Sequence, residues 1–327
     1  ERQSPATAQS GRRRSAGRGA ATACGEWILK KTQCLSSEKN VKRREKAAIV
    51  NELRQKYPLK DLLQLSGLAR STFYYYIQHP IKDKYKKEKQ EILYIFLANK
   101  GRYGYRRILI VLRQKGYTIN HKTVLKLMKE LNLKGKQRKN SKYRSYKGEI
   151  GKIADNLLNR DFTATKPFEK LATDVTEFKV CNDKVYLSPV MDLYNREIVS
   201  YSISLSPNLQ QIREMLDGLF KKLPANAKPL FHSDQGWQYQ HSEYQRLLSE
   251  HNIVQSMSRK GNCMDNGAME NFFGRLKVEM FYGEKFESVK AFIDELKRYI
   301  DYYNNERISL KLKGMSPVQY RLNTLAA

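Results

Sequence analysis

Three acidic residues of this sequence occur where predicted strands and a predicted helix could bring carboxylates together. Asp174 lies in the strand-like run LATDVTEFKV, Asp234 ends the run PLFHSD, and Glu270 lies in an apolar helical stretch. Three carboxylates around one point repel unless cations neutralise them, and oxygen ligands suit Mg²⁺ or Mn²⁺. Two such ions about 3.5 to 4 Å apart can activate an attacking oxygen and stabilise a leaving oxygen on phosphorus. The three residues therefore predict phosphoryl transfer with two metal ions.

The stretch GNCMDNGAMENFFGRLK, residues 261–277, places a lysine close to this chemistry. Glu270 and Lys277 are seven residues apart, and at about 100° per residue both project from nearly the same face of a helix. They are too far apart to pair directly as i and i+4 residues do. We expect Phe272 and Phe273 to belong to the core, and Lys277 to contact phosphates of the substrate beside the carboxylate. A lysine that faces solvent is the alternative.

Other polar residues nearby compete for these roles. Glu177, Asp192 and Asp265 are further acids, but Asp192 lies in a predicted turn and Asp265 resembles a helix cap, so we interpret these acids as structural. His232 could act as a general base, although a supporting or packing role is favoured where metal ions are available. Trp237, beside a glycine in the loop after the second aspartate, fits packing and contact with DNA equally well.

The elements that must position these side chains follow an α/β order. Three strand-like runs, LATDVTEFKV, KVYLSPVMDL and REIVSYSIS, are separated by turn residues and predict an antiparallel meander. A helix near 208–222, a strand PLFHSD, a helix near 241–250, a strand at 252–256, the acid-bearing helix and a long helix at 287–305 follow. Strands that first pair consecutively and then alternate with helices predict a ribonuclease-H-like α/β domain over residues 161–327.

The region before this domain is predicted to be all-α, with a helix-turn-helix over residues 41–80. A leucine-rich helix is followed by Gly67, which can supply a left-handed turn, and Phe73 anchors the next helix. Side chains at the start of such a recognition helix reach bases and phosphates. The predicted DNA-contacting residues are Arg70, Ser71 and Thr72. An ordinary helical hairpin is the structural alternative.

A second helix-turn-helix is predicted over residues 81–133. Gly116 is a candidate C-cap and Asn120 a candidate N-cap. The residues predicted to mark the buried side of the following helix are Val124, Leu125 and Met128. The residues predicted to face DNA are His121, Lys122 and Lys126. Residues 134–160 begin with a basic stretch that has no apolar periodicity, and we interpret this segment as a linker that could lie along phosphates or be solvated.

The charge of the chain is concentrated in its first half. The formal net charge is +28, and residues 1–160 contain 39 Lys and Arg against 12 Asp and Glu, whereas residues 161–327 contain 22 against 21. A basic half joined to a nearly neutral half predicts that the first half binds a polyanion, most commonly nucleic acid.

The remaining composition excludes several classes of protein. Residues 1–27 are rich in Ala, Gly, Ser and Arg and lack apolar periodicity, which predicts a disordered basic tail over residues 1–40. Residue usage changes from Ile28 onward, which a different reading frame or a fusion would explain. Four scattered cysteines support neither a zinc site nor a disulfide framework. No apolar run is long enough to span a membrane. We therefore expect a soluble protein of the cytoplasm, associated with the nucleoid.

These motifs resemble the DDE transposases and retroviral integrases, most closely the insertion-sequence-three family of bacterial transposases. The segments that carry the resemblance are LATDVTEF around Asp174, FHSDQGWQY around Asp234 and SRKGNCMDNGAMENFFGRLKVE around Glu270. The last two acids are separated by 35 residues, the spacing for which the catalytic triad of that family is named. Lys277 falls where the family has a basic residue. The resemblance covers residue 43 or so to the carboxyl terminus and implies strand transfer through a circular intermediate.

The sequence thus predicts a multidomain protein, an all-α helix-turn-helix region followed by an integrase-type catalytic core. Its expected function is to bind the terminal inverted repeats of an insertion sequence, cleave DNA there and transfer the strands, as a homo-oligomer on double-stranded DNA with no membrane partner. A catalytically inactive DNA-binding repressor is one alternative. A ribonuclease-H-type hydrolase of RNA:DNA hybrids is another, and the paired helix-turn-helix units argue against it.

Overall fold

The computed structural model describes residues 43–79, 83–137, 153–260 and 262–325. The predicted tail and most of the predicted linker lie outside these ranges. The chain divides into two compact units, one ending at Tyr85 and the other beginning at Lys86. The first predicted helix-turn-helix therefore lies in one unit, and the second shares its unit with the predicted catalytic core.

The described part of the first unit consists of helices around one small apolar core. These are α1 (Arg43–Leu53), α2 (Leu59–Ser66) and α3 (Arg70–Gln78). Leu62 and Phe73 are fully buried between them. Gly67 joins α2 to α3 with a φ of 65°, a left-handed conformation that glycine adopts without steric cost. The predicted turn and its anchoring residue are confirmed.

The second unit begins with a further group of helices, α4 (Lys86–Ala98), α5 (Tyr105–Gln114) and α6 (His121–Glu130). After α5, Gly116 has a φ of 85°. At the start of α6, the Asn120 side chain accepts a hydrogen bond from the backbone N–H of Lys122 at 2.9 Å. The predicted N-cap Asn120 is confirmed, whereas the C-cap of α5 is Lys115 and Gly116 follows it in the left-handed conformation that ends many helices.

The predicted buried face of α6 is wrong at one position. Val124 and Met128 are buried as expected, but Leu125 is 37% exposed and Leu127 is buried in its place. Residues spaced by three and four share one face of a helix. Positions 124, 127 and 128 meet this condition together, and position 125 lies outside their stripe.

The described residues after 153 contain one mixed sheet. Its strands are β1 (Lys170–Thr173), β2 (Thr176–Val180), β3 (Asp183–Asp192), β4 (Ile198–Ser204), β5 (Leu230–Ser233) and β6 (Val254–Met257). Strand β3 pairs antiparallel with β4 on one side and with both β1 and β2 on the other. Strand β1 then pairs in parallel with β5, and β5 in parallel with β6. The predicted meander followed by alternating strands and helices is confirmed.

The run LATDVTEFKV, predicted as one strand, is interrupted. Strand β1 ends at Thr173 and β2 begins at Thr176, so Asp174 and Val175 lie between two ladders. Beyond this point the neighbour β5 has also ended, at Ser233. The first predicted catalytic acid therefore lies at a strand end, where the sheet opens.

Helices cover both faces of the sheet. They are α7 (Leu209–Phe220), α8 (Trp237–Gln240), α9 (Ser242–Glu250), α10 (Gly267–Leu276), α11 (Val289–Asn305) and α12 (Pro317–Leu325). Leu171 of β1 packs with α7 and α9, whereas its neighbour Ala172 packs with α10 and α11, as the alternation of a strand requires. Phe272 of α10 is 1% exposed, and burying such a side chain stabilises by roughly 1.5–3 kcal/mol. Apolar packing therefore fixes α10 on the sheet.

The ends of α10 are irregular. A 3₁₀ turn, Cys263–Asn266, precedes it, and a π-helical turn, Lys277–Phe281, continues it. Residues 153–160, the described end of the predicted linker, pack on the same core, where Leu158 is buried. None of the helices in the described ranges is long and apolar enough to cross a membrane.

Candidate active site

The two aspartates follow the ends of neighbouring parallel strands. Asp174 comes directly after β1 and Asp234 directly after β5. The strands pair with Ala172 beside His232, and each aspartate is two residues beyond that pair. Because paired strands lie roughly 4.8 Å apart, the structure brings these two predicted site residues side by side at the carboxyl edge of the sheet.

A hydrogen bond brings the third acid to the same edge. The Asn266 side chain donates from Nδ2 to the carbonyl oxygen of Thr173 at 3.0 Å, which ties the start of α10 to the end of β1. Glu270 lies four residues further along, about one helical turn. Its neighbour Met269 is fully buried, while Glu270 itself is partly exposed. Sequence reasoning did not identify Asn266, since an Asn before a helix is typical of an ordinary cap.

Burial raises the pKa of both aspartates, and the neighbouring acids add to this for Asp174. Burial lifts the pKa of Asp174 well above its usual value, and the charges of Asp234 and Glu270 add to this, although a hydrogen bond from the N–H of Val175 opposes it. Burial also raises the pKa of Asp234, and the N–H of Gly236, which donates to its Oδ1 at 2.9 Å, opposes that rise. The cluster therefore carries more negative charge than its surroundings neutralise.

Tyr239 closes the inner side of this cluster. It is fully buried, and its hydroxyl lies 3.4 Å from Oγ1 of Thr173. Burial, together with the charges of Asp234 and Asp174, holds its pKa well above the usual value. The phenol therefore stays protonated and adds no charge to the site. Sequence reasoning missed this residue because a tyrosine in a short helix carries no distinguishing pattern.

Lys277, the first residue of the π turn, lies within the electrostatic reach of the acids. Its Nζ is 5.3 Å from the centroid of the Phe178 ring, a distance typical of cation–π contact. Burial lowers its pKa, while the charges of Glu177 and Asp174 act in the opposite direction. Lys277 therefore lies near the acids, as predicted, and its side chain is not fully exposed to solvent.

The donor set fits a hard divalent cation in its chemistry. All three predicted ligands are carboxylates, and their mutual repulsion is the condition that a bound cation relieves. Within the described ranges, no group of three or more His, Cys, Asp or Glu side chains is already close enough to hold a metal ion. The three carboxylates thus lie in one region and influence one another's charge, but they are not arranged as a complete metal site. They are Asp174, Asp234 and Glu270.

Asp192 is a structural residue. It lies at the end of β3 opposite Leu171, and its carboxylate accepts hydrogen bonds from the N–H groups of Phe168 and Tyr194 at 2.8 and 2.9 Å. Burial raises its pKa to about 6. The interpretation of this acid as structural agrees with these contacts, although it ends a strand rather than lying in the turn itself.

Asp265 is also structural, but its predicted role as a helix cap is wrong. Its buried carboxylate accepts hydrogen bonds from Nε of Arg160 at 2.7 Å and Nε of Arg259 at 2.9 Å. These guanidiniums, Arg259 first, hold its pKa far below the usual range. Ion pairs of this kind fix the loop before α10 on residues 153–160. Glu177 likewise pairs with Lys184 at 3.2 Å.

His232 and Trp237 differ in their surroundings. Both ring nitrogens of His232 are engaged, Nδ1 with Oγ of Ser256 at 2.9 Å and Nε2 with Oγ of Ser258 at 3.0 Å. Burial lowers the pKa of His232 to about 4, so the ring is neutral near pH 7 and both of its nitrogens already have partners. Trp237 is 47% exposed, which removes core packing as its role.

The predicted DNA-contacting residues lie on surface positions of the two helix-turn-helix units. Arg70 and Ser71 are exposed at the start of α3, and Thr72 is half-buried. Lys122 and Lys126 are exposed on α6. An exposed ion pair such as that of Lys126 with Glu130, at 3.9 Å, contributes little to stability, so the lysine can exchange this partner for a phosphate.

Comparison with known protein families gives matches along most of the described chain. The HTH-like domain family matches residues 82–141. Two families, each described as an integrase core domain, match residues 164–263 and 270–325. The matched ranges coincide with the helices α4 to α6 and with the sheet and its covering helices.

Individual relatives are similar over nearly their whole length. The putative transposase InsK for insertion sequence element IS150 of Escherichia coli is 52% identical over 277 residues, which cover 84% of this chain and 98% of that protein. The transposase InsF for insertion sequence IS3A of Escherichia coli is 31% identical over 86% of this chain and 100% of its own length. A structure of the simian T-cell lymphotropic virus intasome in complex with PP2A regulatory subunit B56 gamma has a TM-score of 0.41 and 16% identity, covering 64% of this chain and 69% of that chain.

Proposed function

This chain belongs to the IS3 family of bacterial insertion-sequence transposases, and we propose that it cuts and joins DNA at the ends of its own element. The observation that carries this proposal is the edge of the sheet where β1 and β5 end together. Two aspartates lie side by side there, and Asn266 ties the helix of Glu270 to the same edge.

Asp174, Asp234 and Glu270 are proposed to hold two Mg²⁺ ions, with Mn²⁺ as the other suitable ion. Bound there, the ions would supply an activated attacking oxygen and charge stabilisation for the leaving oxygen. The chain itself contributes an acidic cluster whose repulsion favours cation binding. Tyr239 beside it is buried and uncharged. His232 takes no part as a base, because its ring is buried between two serines.

The reaction is proposed to have two stages. In the first, a water oxygen forms a bond to phosphorus at the element end, and the bond from phosphorus to the 3′-oxygen breaks, freeing a 3′-hydroxyl. In the second, that hydroxyl oxygen attacks another phosphodiester and displaces its 3′-oxygen. Lys277 is proposed to bind a phosphate of the terminal nucleotides, because its ammonium is held near Asp174 by the ring of Phe178.

Recognition of the inverted repeats is assigned to the basic half of the chain. Arg70, Ser71 and Thr72 begin the recognition helix of the first unit, and Lys122 and Lys126 extend from α6 of the second. The excess positive charge lies in residues 1–160. DNA binding is expected to weaken steeply as the salt concentration rises, because the release of counterions from the DNA then contributes less free energy. Joining two ends requires that copies of the chain assemble on the DNA.

The test is incubation of the purified protein with Mg²⁺ and labelled duplexes from either flank of its gene. Cleavage at the element end followed by joined products is expected from the wild type. The Asp234→Asn protein should bind these duplexes within about threefold of wild type yet neither cut nor join them, because the change weakens metal ligation and leaves the basic half of the chain untouched. The Asp192→Asn protein, changed at a strand-end aspartate outside the site, should still cut.

Two outcomes would contradict the proposal. Binding without cutting by the wild type would identify a DNA-binding repressor with an inactive core. Loss of RNA from an added RNA:DNA hybrid, with no change to the DNA ends, would identify a ribonuclease-H-type hydrolase.

A further inference from the structure

The second helix-turn-helix is packed against the catalytic core through buried polar contacts. Tyr103, 2% exposed, accepts a hydrogen bond on its hydroxyl from the N–H of Ile308 at 3.1 Å. Gly314 approaches α5 so closely that an added Cβ would lie 2.8 Å from Cγ2 of Ile110. A flexible linker would permit many orientations of the helix-turn-helix relative to the core. These direct contacts favour a single orientation.

Glu279, in the π turn after α10, is the buried charge at the centre of this contact. Arg307 of the core donates from Nε and Nη2 to its two carboxylate oxygens at 2.8 and 2.7 Å. Arg107 of α5 donates from Nη1 to the same carboxylate at 3.2 Å. Burial alone would raise the pKa of Glu279, but Arg307 and then Arg107 outweigh it and lower the pKa to about 2. The carboxylate is therefore charged at every physiological pH.

The backbone of Glu279 binds the same helix-turn-helix a second time, together with the first residues of the predicted linker. Its carbonyl oxygen accepts hydrogen bonds from Nε of Arg102 at 3.2 Å and Nζ of Lys136 at 3.4 Å. The guanidinium of Arg102 lies 4.6 Å from the ring centroid of Tyr302 in α11. Cations at the carboxyl end of a helix are favoured because the last carbonyl groups lack partners within the helix.

The helix held in this way is the one that carries two proposed site residues. Glu279 is two residues after Lys277 and nine after Glu270, roughly 13 Å further along the helix axis at 1.5 Å per residue. The N–H of Tyr282 donates to the carbonyl oxygen of Lys277 at 2.7 Å, the wide spacing of a π turn, which is frequent at functional sites. Any shift of α5 would therefore act directly on the turn that holds Lys277.

We propose that the second helix-turn-helix and the catalytic site form one rigid measuring unit, in which Glu279 is a positioning residue. The unit fixes the distance along the DNA between the sequence that α6 reads and the phosphodiester that is cut. This inference rests on the proposed function, and it adds to it the rule by which the cut position is chosen. A displacement of about 1 Å at a reacting bond can cost a hundredfold in rate, so a clamp at the far end of the catalytic helix has a direct effect on where cutting succeeds.

The test inserts one or two base pairs at successive positions between the outer end of the element and the inner sequence that the protein protects. The cut positions on these labelled duplexes are then mapped to single-nucleotide resolution. With the wild-type protein, the cut is expected to keep its distance from the inner sequence and to move inward by the number of base pairs inserted. A recognition domain on a flexible tether would leave the cut at the outer end.

The variant Arg107→Gln removes the helix-turn-helix half of the clamp and leaves Glu279 paired with Arg307. Its cuts are expected to spread over neighbouring phosphodiesters, with the fraction at the wild-type position falling about threefold or more and DNA binding changing less than about twofold. Lys136→Ala keeps both ion pairs of the Glu279 carboxylate but removes another ion pair, between Lys136 and Glu284 at 2.8 Å, and it should spread the cuts to a smaller extent. The matched control is Glu197→Gln, which breaks an ion pair with Arg321, 2.8 Å long and confined to the core. It should lower stability without moving the cuts.

The outcomes are distinguishable. Cuts that stay at the outer end after insertion, or a wild-type cut distribution from Arg107→Gln and Lys136→Ala, would overturn the rigid measuring unit while leaving the transposase activity in place. A wild-type protein that cuts none of the duplexes would overturn the proposed function and this inference together. A merely structural Glu279 clamp would reduce the amount of active protein in the variants but would not change where it cuts.

Discussion

Replacing Asp234 by Asn is expected to make the metal-free protein more stable, although the change removes a proposed metal ligand. Two unit charges at roughly 5 Å, the spacing of paired strands, repel by about 3 kcal/mol at an effective dielectric constant near 20 and by under about 1 kcal/mol in water. Asp174 and Asp234 are each partly exposed, so a gain of about 1 to 2 kcal/mol lies between these limits. The Asn side-chain oxygen can still accept the hydrogen bond from Gly236.

The pH dependence of the metal-free wild type has the same cause. The folded pKa of Asp174 is raised above the value of 3.8 that applies to the unfolded chain. Its contribution to stability is therefore complete below that value and is lost as the pH rises through the folded pKa. The metal-free wild type should thus become less stable as the pH rises towards neutrality, and the Asp234→Asn protein should show a weaker dependence.

The assay is urea unfolding at pH 7, with and without Mg²⁺. At ten times its dissociation constant, the ion should stabilise the wild type by about 1.4 kcal/mol, and this gain should be lost in the Asp234→Asn protein. Asp192→Asn is the matched control. It removes a buried aspartate that accepts two backbone hydrogen bonds, so it should lower metal-free stability and keep the response to Mg²⁺. An Asp234→Asn protein that is less stable than wild type without metal, and that still responds fully to Mg²⁺, would refute this reasoning.

Three further predictions concern residues around the site. Lys277→Ala should lower strand transfer on saturating DNA at least tenfold, about 1.4 kcal/mol of transition-state stabilisation, with Mg²⁺ affinity nearly unchanged; wild-type joining rates would mean that the lysine binds no phosphate. His232 has a folded pKa lowered from 6.5 to about 4, so its contribution is complete above pH 6.5 and is lost as the pH falls towards 4. The wild type should lose up to about 3 kcal/mol of stability over that range, and unfolding curves of a His232→Gln protein should show a smaller loss. Glu279→Gln should lower the free energy of unfolding by about 3 to 5 kcal/mol at pH 7, because the buried guanidinium of Arg307 and the partly buried guanidinium of Arg107 lose their counter-charge. A change under about 1 kcal/mol in urea melts would contradict that account.

The parts of the site that sequence reasoning found are those with a local pattern. Asp174 and Asp234 end apolar strand-like runs, and the carboxyl ends of such strands meet at one edge of an α/β sheet. Gly67 can form the turn because it has no side chain, and Asn120 can cap a helix because its side chain accepts a hydrogen bond. Each of these features depends on residues close in the chain, so periodicity and residue type were sufficient to predict them.

The parts that were missed depend on partners far away in the chain. Glu279 looks like any acid in an amphipathic helix, and its importance comes from Arg107, which is 172 residues distant. Asn266 looks like a cap, but it binds the carbonyl of Thr173, 93 residues earlier. Apolar character alone predicts that Leu125 is buried, whereas the packing of the helices buries positions 124, 127 and 128. No single sequence reveals such pairings.

The contact of the second helix-turn-helix with the core also has a consequence for synthesis of the chain. The first unit has an apolar core made of residues 47–77, so it can fold while the ribosome is still making the rest. The second helix-turn-helix cannot complete its contacts until residues 279–314 have emerged, because the partners of Arg102, Tyr103 and Ile110 lie there. Contacts between residues so distant in sequence form late in folding. A copy of the element shortened before residue 279 would therefore encode a first unit that can fold. Its second helix-turn-helix would expose surface that the core covers in the full-length protein. Such a product would be a substrate for proteases rather than a stable repressor.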